Sequence, residues 1–60
     1  MIYTLEKRHL FGNGTMETHW EVREYTHRTP IGVLANGRTL KTGTRIQCEK
    51  YIRTKGIKVE

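Results

Sequence analysis

The chain has 60 residues, one cysteine and a formal charge of +5 from eleven lysines and arginines against six acidic residues. That length supports at most one small domain, a single cysteine excludes an intrachain disulfide, and there is little room for a pocket of ordinary ligand size, so an enzyme is not expected. No apolar run approaches the ~20 residues of a membrane helix, and no signal-peptide pattern follows Met1. The expectation is therefore a complete, cytoplasmic protein with no membrane contact.

Taken in order, Ile2 to Phe11 is rich in β-formers, with Tyr3 and Leu5 on one side and Ile2, Thr4, Glu6 and Arg8 on the other. Gly12-Asn13-Gly14 is a turn signal, because glycine and asparagine tolerate positive φ. Met16 to Thr26 reads as a second strand, antiparallel to the first. It sets Thr18, Trp20, Val22 and Glu24 on one face and His19, Glu21, Arg23 and Tyr25 on the other. Trp20, the one tryptophan, is expected to make the largest contribution to the core. Cross-strand ion pairs of Glu6 with Arg23 and of Arg8 with Glu21 fit this hairpin.

His27 to Pro30 reads as a break, since proline cannot donate to a ladder. The apolar run Ile31 to Ala35 suits a third strand, and Asn36-Gly37 a type I′ turn. Arg38 to Gly43 alternates too little to separate strand from loop. Thr44 begins the segment with the strongest local signals. Thr44 and Gln47 form a capping-box pattern, Gly56 suits a left-handed C-cap, and Arg53 and Lys55 suit the negative end of a helix dipole. Cys48, Tyr51 and Ile52 share one helical face, with Ile46, Glu49, Lys50 and Arg53 on the other. Ile57 and Val59 leave room for a short closing strand. The resulting fold class is α+β, a three-stranded antiparallel sheet with one C-terminal helix on one face.

The residues that could carry chemistry have blander explanations. His9, His19, His27 and Cys48 lack the paired spacing of a structural zinc site, so no metal is expected. Cys48 falls on the buried helix face, where a nucleophile would be inaccessible. Glu21 and Glu24 have opposite strand parity and cannot act as a carboxylate pair. Gly43-Thr44 at the helix start offers amides to at most one phosphate, beside Lys41 and Arg45. No residue pattern implies a cofactor.

Charge is the most informative feature. Residues 1–37 are neutral, whereas residues 38–60 hold seven basic residues against Glu49 and Glu60. Such asymmetry points to an acidic partner, DNA or RNA above all. The expected nucleic-acid-binding residues are Arg38, Lys41, Arg45, Lys50, Arg53 and Lys55. An open sheet face carrying Arg8, Arg23 and Tyr25 could enter a major groove, and Tyr3 and Tyr25 could stack on single-stranded bases, but Glu6, Glu21 and Glu24 dilute the field on that hairpin, so the C-terminal basic residues are the preferred surface. The competing expectation is a small protein-binding module, such as a viral accessory inhibitor of a host protein, using the same patch on an acidic protein surface. A free sheet edge and a small core would also favour a homodimer.

Three strands followed by a helix, with Trp20-Glu21-Val22-Arg23 in the second strand, resemble the sheet-reading DNA-binding domains of AP2 type and of tyrosine-integrase N-termini over about residues 15–55. The characteristic glycines and arginines of those domains are absent, and no functional residue is carried over. In size and style the chain also resembles accessory proteins of bacterial viruses.

Overall fold

The computed structural model describes residues 1–12 and 15–60, with the side chains of residues 10–16 left aside. The expected turn residues Asn13 and Gly14 lie outside the described residues. Strands β1 (Ile2–Gly12) and β2 (Thr15–Tyr25) form a long antiparallel pair in which Leu5 faces Val22 and Glu6 faces Glu21. A two-stranded pair, β3 (His27–Arg28) with β4 (Leu34–Ala35), follows, and then β5 (Arg38–Gly43) joins the free side of β2. The main sheet has the order β1-β2-β5, all antiparallel. The single helix α1 (Arg45–Lys55) packs on one of its faces, against β2 and β5. The fold is α+β.

Helix α1 begins and ends where its sequence dictates. Thr44 Oγ1 accepts the Gln47 amide at 3.2 Å, and Gln47 Oε1 accepts the Thr44 amide at 2.9 Å, which satisfies two donors that the first turn would otherwise leave open. Gly56 sits at φ 67°, ψ 29°, and the Ile57 amide reaches back to the Ile52 carbonyl at 3.0 Å. A Cβ at Gly56 would meet nothing, so glycine is needed there for backbone reasons alone.

The core is small and central. Among the described residues, Val22 and Cys48 are the two fully buried side chains, and the Cys48 thiol donates to the Trp20 carbonyl at 3.4 Å. Trp20 itself is half-buried, contrary to expectation. It lies toward the end of the ladder, opposite Gly43, which offers no side chain to cover it. The guanidinium of Arg45 lies over its ring instead, 5.1 Å from the centroid.

Three local expectations are corrected. The third strand of the main sheet is Arg38–Gly43, while the apolar run Ile31–Ala35 contributes only Leu34–Ala35 to the small hairpin. The Thr29–Val33 turn, closed by the Gly32 amide on the Thr29 carbonyl at 2.8 Å, turns Ile31 and Val33 outward. His27–Arg28 is not a break, since it pairs with Leu34–Ala35 ahead of the proline. Asn36-Gly37 is not a type I′ turn: only Asn36 has positive φ, at 57°. Gly37 is demanded by close approach, because a Cβ there would stand 2.6 Å from the Tyr25 ring. The closing strand amounts to one parallel bridge, Val59 to Tyr3, where the Glu60 amide donates to the Tyr3 carbonyl at 3.0 Å.

Candidate nucleic-acid interface

The two faces of the sheet have different electrostatic characters. On the face away from α1, Glu6 and Glu21 stand directly opposite each other, an arrangement that like charges disfavour. Diagonal arginines relieve it. Arg8 Nε lies 3.4 Å from Glu21 and its Nη2 3.3 Å from Glu6, while Arg23 Nη1 lies 3.4 Å from Glu21 and its Nε 4.0 Å from Glu6. Four further side chains complete the cluster. Tyr25 donates to Glu6 at 2.6 Å, Thr4 to Glu6 at 2.7 Å, Thr39 to Glu21 at 2.8 Å, and His19 contacts Glu21 at 3.1 Å.

Both carboxyls are held below their ordinary range. Burial pushes Glu6 up, but the hydrogen bonds from Tyr25 and Thr4 and the charges of Arg8 and Arg23 outweigh it. For Glu21 the Thr39 hydrogen bond leads, burial opposes it, and His19, Arg8 and Arg23 add to the lowering. Glu21 is only 8% exposed.

This cluster engages the cations of the open sheet face. Arg8 and Arg23 already neutralise two carboxylates, and Arg23 also donates to Thr39 at 2.9 Å and lies over the Tyr25 ring, 5.6 Å from its centroid. The Tyr25 ring, with Gly37 against its edge, is not free to stack on a base. Tyr3 is half-buried on the helix side, where burial and the neighbouring Glu24 carboxylate push its hydroxyl up. His9 faces Thr18, on the opposite side of the sheet from His19.

The basic residues of the C-terminal part divide into two groups. Arg38 pairs with Glu24 at 3.3 Å, and Arg45 pairs with Glu49 at 2.8 Å while covering Trp20. Lys41, Lys50, Arg53 and Lys55 have no carboxylate within 4.0 Å among the described residues. Lys41 on β5 and Lys50 on α1 line one open groove of about 230 Å³, with Gln47, Tyr51 and Thr54. Lys55 stands 5.9 Å from the centroid of the Tyr51 ring, so a third cation borders the same place. Arg53 is exposed in the last turn. The helix start is a plain cap, as its sequence suggests, with Thr44 and Gln47 engaging each other's amides.

The residues that sequence reasoning missed are Tyr51, which it took as core only, and the Glu6–Glu21 pair. Tyr51 is half-buried, with part of its ring lining the groove. Its exposure depends on where β5 lies relative to α1, which no local pattern reports. The carboxylate pair had a signal in Asn13-Gly14, since counting back from the Gly12–Thr15 pair brings Glu6 opposite Glu21. No protein-family model, curated protein or solved structure matches the chain. Among the described residues, no helix is long and apolar enough to cross a membrane.

Proposed function

We propose that this is a small, non-enzymatic nucleic-acid-binding protein that contacts phosphates through the basic surface around the Lys41–Lys50 groove. The observation that carries this reading is that Lys41, Lys50, Arg53 and Lys55 have no acidic partner among the described residues, whereas Arg38 and Arg45 are ion-paired. Cations left unpaired on one surface are available to displace counterions from a phosphate backbone, which is the main source of sequence-independent affinity. A cytoplasmic location accords with this reading.

The test is binding to mixed-sequence oligonucleotides at low and moderate salt. Affinity should fall steeply with salt, and Lys50→Ala or Arg53→Ala should weaken binding about equally across sequences. Affinity that ignored salt would overturn the reading.

A protein-binding module is the second reading, favoured by the position of β5 at the end of the sheet, with no described strand on its outer side. The two readings separate on purification. Nucleic acid carried along with the protein, seen as raised absorbance in the ultraviolet, supports the first, and a co-purifying acidic protein supports the second.

A further inference from the structure

The Lys41–Lys50 groove has a chemical character that phosphate contacts alone do not require. Its lining includes Tyr51, Lys41 and Lys50, and Lys55 Nζ lies over the Tyr51 ring, 5.9 Å from its centroid. Gln47 Oε1 is engaged by the Thr44 amide, which leaves the Gln47 amide nitrogen as a donor, and Thr54 adds a hydroxyl.

A duplex offers a convex phosphate surface with its bases stacked away inside. Its phosphates would meet the lysines, with no unpaired base to set against the Tyr51 ring. A single strand offers a flat, unpaired π-face within reach of two flanking phosphates. The Tyr51 ring and the lysines of the groove complement that pairing of features. Tyr25 is instead tied into the Glu6–Glu21 cluster, its hydroxyl donating to Glu6 at 2.6 Å.

We infer that the groove binds single-stranded nucleic acid, with one unpaired base against Tyr51 and the adjoining phosphates on Lys41 and Lys50. This inference rests on the nucleic-acid reading above and narrows it to one ligand class. DNA and RNA strands share the chemistry, and the test carries one of each.

The experiment measures binding of the full chain to oligothymidylate, to oligouridylate and to a mixed-sequence duplex, each about 12 nucleotides long, within the site sizes of single-strand grooves. Single strands should bind at least about tenfold more tightly than the duplex. Tyr51→Leu should weaken single-strand binding by about 5- to 100-fold and duplex binding little, whereas Tyr51→Phe, which keeps the ring, should stay within about twofold. Because Tyr51 is half-buried, a measurement on the unsubstituted protein accompanies the variants. Ultraviolet cross-linking of a bromouracil-containing strand should yield an adduct that maps to Tyr51.

Equal or tighter duplex binding, an adduct elsewhere, or equal affinities for Tyr51→Leu and Tyr51→Phe would overturn the single-strand inference while leaving the phosphate-binding reading in place. No binding of any of the three at low salt would overturn both.

Discussion

Glu6 and Glu21 face each other across the β1–β2 ladder, and two arginines and four further side chains hold both as carboxylates. Each is lowered from an ordinary value of 4.5. A carboxyl whose folded-state pKa lies below its unfolded value contributes stability that is complete above the unfolded value. That contribution disappears as pH falls through the folded one. The melting temperature should therefore drop as pH is lowered below about 4.5. Glu21→Gln should flatten that drop. A melting temperature unchanged across the acid range would contradict the assignment.

Arg23 is the member of this cluster whose loss should cost most. It touches Glu6, Glu21, Thr39 and Tyr25, and its Nε is buried without a hydrogen-bond partner. Arg23→Met keeps the stem but leaves two opposed carboxylates sharing only Arg8, and should destabilise by about 2 kcal/mol. Chemical denaturation measures this. A companion Glu6→Gln should restore part of the loss, because it removes the repulsion.

The ends of α1 are legible in local sequence because their contacts span three or four residues, and they make correspondingly local predictions. Thr44→Ala should cost about 1 kcal/mol. Gly56→Ala should cost a similar amount, about 1 kcal/mol, through the left-handed backbone alone. A denaturation midpoint unchanged by either substitution would contradict the cap geometry.

The position of β5 was harder to read, for reasons visible in particular residues. Its apolar alternation is broken at Leu40, where Val22 pairs with Lys41 and Arg23 with Thr39, so one residue is extra. Polar contacts accompany its pairing with β2: Thr39 with Glu21, and Arg38 with Glu24. The more apolar Ile31–Ala35 looked like the better strand, yet its turn leaves Ile31 86% exposed. The hairpin and its two faces followed from strand parity, whereas the Tyr51 groove depends on how β5 and α1 sit together. Of the six basic residues expected at the interface, Lys41 and Lys50 line that groove, Lys55 borders it and Arg53 is unpaired. Arg38 and Arg45 are held by carboxylates.

Cys48 is fully buried, and burial pushes its thiol up, which disfavours the reactive thiolate. A thiol reagent should label it only as fast as the protein opens, and labelling should accelerate with denaturant. Immediate labelling of the native protein would mean that α1 does not cover the sheet as described.

The division among the basic residues also predicts unequal mutational effects. Arg45→Ala should reduce nucleic-acid affinity less than Lys50→Ala, because Arg45 is engaged by Glu49 and Trp20. Titration of each variant with a labelled oligonucleotide tests this. Equal losses would show that the ion pair opens on binding.

The most direct test of the central claim is the salt dependence of oligonucleotide affinity for the unsubstituted chain and for the double variant Lys41→Ala, Lys50→Ala. If both lysines contact phosphates, affinity falls steeply between about 50 mM and about 200 mM salt, and the slope of log affinity against log salt flattens by about 1.5 in the double variant. An unchanged slope, or no binding even at the lower salt, would contradict the account.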